Sequence, residues 1–395
     1  MLTFKEKIGG TRLYNFDSLL QRRGSDSTKW DALKRDFGRD DLMPFWVADM
    51  DFPVLPEIVE ALSKRSTEGQ TFGYTFAGQD YFNSVIAWNK TRHGLDLEKD
   101  EIIPVPGVVT AIAALLLKVT KEEDKVVINP PVYTPFFQVI KDMNRQLVLS
   151  PLIQKDGKYI IDFADLEEKF RHGASLYLMC SPHNPVGRVW TKEELEQVTQ
   201  LCRKYNVLLV SDEIHGDIVF SGHTHIPILN VCPEAIAISA PSKTFNIAGL
   251  KSSTILVKEP NIKKKVQEAI DCLHLYPNLF AYEATKAAYR HGAEWLNELN
   301  AYLEESARFT VEYLREYLPQ IGAYIPEGTY LMWLDFSAFG LSDQELESRM
   351  INVAQVALNP GVEYGQGYGQ FMRLNIGVPR FYLEEGLKHI VDAFK

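Results

Sequence analysis

The chain holds 395 residues, 46% of them apolar, with 42 basic against 52 acidic side chains and a formal charge of −10. That is enough apolar material for a large core and too much chain for one unit of typical size, so two domains are expected. The acidic balance, with no Lys/Arg block, argues against nucleic acid as a partner, and no apolar run approaches the roughly 18 residues of a membrane span.

The N-terminal stretch MLTFKEKIGGTRLYNF lacks the apolar core of a secretory signal. Cys180, Cys202, Cys232 and Cys272 are far apart and form no C-x-x-C pair, which suits reduced thiols in a cytoplasmic protein. A nucleophilic Cys180 beside His183 is the sharper alternative. His223-Thr-His225 is the one close histidine pair and has no third ligand nearby, so no metal is expected.

Residues 1–50 are mixed and polar, with turn signals at Gly9-Gly10 and Arg23-Gly24, and run into PFWVADMDFP. Helical spacing in LPEIVEALSKRS predicts a helix after Pro53, and another over 80–94. Tyr74 lies between them in the loop TFGYTFAG. Gly107 opens the apolar helix VVTAIAALLLKV. From about 100 to 258 strands alternate with helices: KVVINPP (125–131), SLYLMCSPHNP (175–185), NVLLVSDEIH (206–215) and AIAISAPSK (235–243) read as strands, followed by a β-rich run over 252–257. TKEELEQVTQLCRKYN (191–206) is a helix whose Thr191 and Glu194 fit a capping box. Short, continuously apolar strands with helices between them predict a mostly parallel sheet covered on both faces, an α/β fold. Residues 259–318 are helical in pattern with a break at Tyr276-Pro277-Asn278. The remainder mixes the strands YLMWLDF and FMRLNIGV with helices, as an α+β unit does.

In open α/β sheets ligands sit beyond the carboxyl ends of the strands. Three buried strands here end in Asn184, Asp212 and Lys243. No acid lies between Glu234 and Glu259, so Lys243 has no sequence-local counterion, and desolvation would favour its neutral, nucleophilic form. An amine, a carboxylate and an amide at one sheet edge are the set that pyridoxal phosphate requires: the amine for the Schiff base, the carboxylate for the pyridine nitrogen, the amide for the ring oxygen.

The motifs Asn184-Pro185-Val186-Gly187, Asp212-Glu213-Ile214-His215, Ser242-Lys243-Thr244-Phe245-Asn246-Ile247-Ala248-Gly249 and Pro360-Gly361-x-x-Tyr364-Gly365-x3-Gly369-x3-Arg373 occur in order along most of the chain. Together they resemble the fold-type I pyridoxal-phosphate enzymes of the class I/II aminotransferase superfamily. The resemblance implies a large cofactor-binding domain over 51–290 and a small α+β domain over 291–395 joined by the segment 1–50. Lys243 resembles the Schiff-base lysine that also moves the Cα proton, Asp212 the pyridinium partner, Asn184 the ring-oxygen donor, and Tyr133 the aromatic against the ring. Their alternatives are a solvated lysine, a strand-end capping carboxylate, a plain Asn-Pro turn and a core tyrosine.

Phosphate would be met by the helix start at Gly107 through the N–H groups of Val108 and Val109, by Ser242, and by Lys251, which stands where many relatives have arginine. An ordinary helix start and a surface lysine are the alternatives. Tyr74 resembles a tyrosine lent to the other subunit's site, which implies a homodimer with shared active sites; a loop-packing aromatic is the alternative. Arg373 resembles the receptor for the substrate α-carboxylate, as against a structural salt bridge. Ala48 is a candidate N–H donor to that carboxylate, or simple packing, and Tyr74 and Asn184 also face substrate in this reading. His215 departs from the family pattern, standing where many aminotransferases carry a tyrosine.

WVADMDF, SDEIH and APSKTFNIAGL resemble the MalY/PatB-type C–S lyases, including cystathionine β-lyase. That implies α,β-elimination from cystathionine- or cysteine-type thioethers to thiol, pyruvate and ammonia. Transamination shares the same carbanion and stays open as an alternative, as does a regulator-binding role, for which the sequence carries no motif.

Overall fold

The computed structural model describes residues 13–68, 71–155 and 157–395; the turn signal at Gly9-Gly10 lies outside them. Seven strands form the central sheet in the order Ile102–Val105, Ser253–Val257, Ile236–Ser239, Leu208–Asp212, Ala174–Cys180, Lys125–Ile128 and Gln146–Leu149. The last five are parallel. Their residues alternate between two cores: Leu176, Leu178 and Cys180 enter one, Tyr177 and Met179 the other. With both faces buried there is no polar side for the alternation to show, and the strands read as unbroken apolar runs.

Ser253–Val257 is antiparallel to both its neighbours. The connection from Ser239 holds only the one-turn pieces Pro241–Thr244 and Ala248–Leu250, with no crossover helix to carry the chain back to the other end of the sheet. The reversal keeps the Lys243 turn at the carboxyl ends of the parallel strands.

The helix Lys192–Tyr205 starts with the capping box: Glu194 N–H donates to Thr191 Oγ1 at 3.2 Å, and Thr191 N–H to Glu194 Oε2 at 2.8 Å. Leu279–His291 follows the predicted break and gives way at Gly292 to the long helix Ala293–Tyr317. Beyond it, Leu331–Asp335 pairs antiparallel with Phe371–Asn375, which also pairs with Asn359–Pro360. Met43–Pro44 pairs parallel with Val356–Ala357, so the two ends of the chain meet. Among the described residues no helix is long and apolar enough to cross a membrane.

A buried ion cluster fixes the segment after Pro44. Asp51 and Lys29 are both fully buried and lie 2.8 Å apart, while Arg22 Nη1 and Trp30 Nε1 donate to Asp51 Oδ1 at 2.6 and 2.8 Å. Removing one partner of a buried pair strands the other in low dielectric, at a cost of about 3–5 kcal/mol. Asp51→Ala is therefore expected to lower the unfolding free energy by about that amount, read as a reduced urea midpoint.

Candidate active site

The site forms where three neighbouring parallel strands end. Cys180 pairs in register with Asp212, and Asp212 with Ile238, so the chain leaves all three strands at one level. The first leads through Ser181-Pro182 to Asn184, the second ends on Asp212 itself, and the third turns at Pro241 into the one-turn helix carrying Lys243. Gly187 closes the Asn184 loop with φ +67°; a Cβ there would run into Pro326, so the close approach needs glycine. One pocket is lined by Ala48, Tyr133, Asn184, Asp212, His215 and Lys243, with the helix-opening Val108 at its edge. A wider hollow at the amino ends of the strands, near Ala174 and Leu208, is lined by Lys265 and by Arg203 and Glu234, which pair with each other.

Lys243 Nζ donates to the Ala48 carbonyl at 2.6 Å. Burial, then the Arg373 charge, lower its pKa to about 8; Asp49 and Asp212 oppose this and Lys251 adds to it. Near neutral pH such an amine is unprotonated far more often than an ordinary lysine. Asp212 is 1% exposed, and burial pushes its carboxyl up to about 7, although Ile214 N–H donates to Oδ1 at 3.1 Å. Burial also pushes the Tyr133 phenol up to about 12.

Arg373 is 4% exposed. Its guanidinium donates to the Trp46 carbonyl and Asn359 Oδ1, both at 2.6 Å, and to Asn184 Oδ1 at 3.2 Å. Every one of these acceptors is neutral, and Nε has no partner. Among the described residues no carboxylate is within ion-pair distance of it. A buried guanidinium held in a fixed direction without an anion is a receptor for one.

His215 is buried with Nδ1 unpartnered, and burial lowers its pKa to about 3, so its ring is neutral. Gly107 caps the helix Val108–Val119 without a side-chain bond, and Ala111 N–H is the first to bond back, to the Gly107 carbonyl. The N–H groups of Val108 and Val109 therefore point out of the helix end. Ser242 is buried and Lys251 exposed.

Two of the expected residues stand apart from the rest. At Ala48 it is the carbonyl that enters the site, engaged by Lys243 and by Tyr330 Oη at 2.9 Å. Tyr74 is fully exposed, and Phe72, Gly73 and Thr75 flank it in a surface hollow with Tyr276 and Phe280; its own chain does not bring it to Lys243. Sequence reasoning missed Tyr330, Asn359 and Trp46. Only Tyr330 left a signal, as a polar-tipped aromatic opening the apolar strand LMWLD.

Residues 40–390 match the family of class I and II aminotransferases. The chain belongs to that family. It is 42% identical to cystathionine beta-lyase PatB of Bacillus subtilis, covering 96% of this chain and 99% of that protein. Protein MalY of Escherichia coli is 33% identical, covering 97% and 99%. Among solved structures, cystalysin from Treponema denticola, which contains a pyridoxal 5′-phosphate cofactor, superposes with a TM-score of 0.93 at 35% identity, covering 96% of this chain and 98% of that one.

Proposed function

We propose that the chain is a pyridoxal-phosphate-dependent C–S lyase performing α,β-elimination on cystathionine-type thioethers, to thiol, pyruvate and ammonia. The observation that carries it is the meeting, beyond the carboxyl ends of the parallel strands, of a partly neutral amine and a buried acid raised to about 7, with a buried guanidinium that lacks an anion reaching Asn184 from the smaller sheet. The likeness to PatB over nearly the whole length of both chains supports the choice of reaction.

The residues fit the cofactor. The outward N–H groups of Val108 and Val109 are donors for its phosphate, the unpartnered buried Nδ1 of His215 lies in the same pocket, and the unpartnered Nε of Arg373 is a donor for the carboxylate of an amino-acid substrate. Ser242 and Lys251 are the further phosphate ligands in this reading. When bound, pyridoxal phosphate supplies an electron sink for charge left on the substrate Cα.

Lys243 takes the Cα proton as a neutral amine, and the Ala48 carbonyl steadies Nζ. Asp212 supplies the anion for the ring nitrogen, Asn184 the amide for the ring oxygen, and Tyr133 packs on the ring face. Arg373 receives the α-carboxylate; the acceptors already on it are neutral, so an incoming anion competes with no ion pair.

Arg373→Met is expected to lower kcat/KM for L-cystathionine about 100-fold, mostly through KM, since charge-assisted hydrogen bonds are worth about 1.5–3 kcal/mol. Steady-state kinetics check this.

The reading extends to a cytoplasmic homodimer in which Tyr74 serves the second subunit. The exposed Phe72, Tyr74 and Phe76 support it, and the free thiols of Cys180, Cys202 and Cys232, all buried, suit a reducing compartment. The division into 1–50, 51–290 and 291–395 belongs to the same proposal.

The deciding experiment incubates the holoenzyme with L-cystathionine and no 2-oxo acid. Thiol and pyruvate in equal amounts support elimination. Turnover that begins only when a 2-oxo acid is added makes the protein an aminotransferase.

A further inference from the structure

Behind the turn that carries Lys243 lies a buried carboxylate that the chemistry above does not use. Asp217, five residues beyond Asp212, is 7% exposed. Its Oδ1 accepts from Trp88 Nε1 at 3.0 Å and lies 2.8 Å from His93 Nε2, and its Oδ2 accepts from Thr244 Oγ1 at 2.8 Å. The Asn300 amide donates to its backbone carbonyl at 2.9 Å. Segments from residues 88–93, 244 and 300 therefore meet on one residue, the first two of them on its carboxylate. Burial pushes its carboxyl up, but His93 and the Thr244 hydroxyl together hold it below the ordinary value. It is an anion with every oxygen engaged.

Thr244 is fully buried and follows Lys243 directly in the helix Pro241–Thr244. Four residues cannot hold a helical turn by themselves. On one side Asn246 ties it to the N-terminal segment, accepting from Met50 N–H at 2.9 Å and donating to the Met50 and Phe52 carbonyls at 2.8 and 3.1 Å. That segment carries the Ala48 carbonyl on which Nζ rests. On the other side the Thr244 hydroxyl ties the turn to the loop beyond Asp212. The charges that act most on the Lys243 amine are Arg373, Asp49, Asp212 and Lys251. The link from Asp217 to Lys243 that the structure shows is the Thr244 hydroxyl.

We propose that Asp217 is a positioning residue for Lys243: through the Thr244 hydroxyl it fixes the direction of the Pro241–Thr244 turn, and with it where the ε-amine reaches. The inference rests on the reading of Lys243 as the base that moves the Cα proton. Misplacing a reacting group by about 1 Å costs on the order of 100-fold in rate, and the Thr244–Asp217 bond is the tie that prevents it.

The test uses Thr244→Val, which keeps the shape and removes the donor. In the full-length holoenzyme, kcat for pyruvate release from L-cystathionine is expected to fall about 10–100-fold with KM within about 2-fold. In the same protein without substrate, amide exchange at Phe245 and Ile247, which donate to the Pro241 and Ser242 carbonyls, is expected to quicken about 10-fold as the turn opens locally. Thr244→Ser restores both. A valine variant with unchanged kcat and exchange, or a serine variant that restores neither, overturns the proposal. If the valine variant does not fold, Thr244→Cys, with its far weaker donor, replaces it under the same two outcomes. A wild-type protein that releases no pyruvate sinks the elimination reading, while the exchange measurement still reports on the tie.

Discussion

Lys243→Ala is expected to reduce pyruvate release from L-cystathionine by about 10⁴-fold, because it removes both the covalent anchor and the general base. The physical ground is the state of the amine. Burial and the nearby Arg373 bring its pKa to about 8, so a useful fraction is unprotonated near neutrality. Among the described residues no other lysine lines the same pocket. Lys251, eight residues on, is exposed and does not line it. The loss should therefore appear in kcat, with no second amine to take over. Stopped-flow and steady-state assays of the variant, at matched cofactor content, give the number.

Asp212→Asn is expected to cost about 10³-fold in kcat, the scale of a broken buried charge pair, and to do something less obvious to stability. The carboxyl is raised from 3.8 to about 7 by burial first, with Glu213 adding to the effect and Lys243 opposing it. A folded pKa above the unfolded one favours the fold fully below the unfolded value, and that contribution is lost as pH climbs from about 4 through about 7. In the cofactor-free protein the asparagine variant escapes this penalty. It should be more stable than wild type at pH 8, by at most about 4 kcal/mol, and indistinguishable at pH 4. With pyridoxal phosphate bound the order should invert at pH 8, since only the carboxylate can pair with a cation there. Thermal melts of both proteins at two pH values, with and without cofactor, check the sign.

How much of this was written in the sequence depends on how local each interaction is. The strands that lead to Asn184, Asp212 and Lys243 were legible because strands buried on both faces are continuously apolar, but two of them stop earlier than expected, at Cys180 and Ser239, and the chain reaches Asn184 through a loop and Lys243 through the Pro241–Thr244 turn. The capping box at Thr191 was legible because both its partners lie within one turn. Ile102–Val105 left little trace, being four residues long with Pro104 inside and charged residues before it. The direction of Ser253–Val257 was hidden because it depends on what the intervening loop lacks. The ring of acceptors around Arg373 comes from residues 46, 184 and 359, and no spacing rule connects such positions. Tyr330 and Asp217 reach the Lys243 region in the same way, through folding alone. The proposed part of Tyr74 in a second subunit is one that a single chain does not display.

The central claim is that one amine, Lys243, carries the cofactor. Borohydride reduction of the yellow holoenzyme, followed by proteolysis and mass mapping, tests it most directly. The account predicts a single pyridoxyl adduct, on the peptide containing Lys243, with loss of activity in proportion to labelling. A colourless protein that takes up no pyridoxal phosphate, or an adduct confined to another lysine, would contradict it.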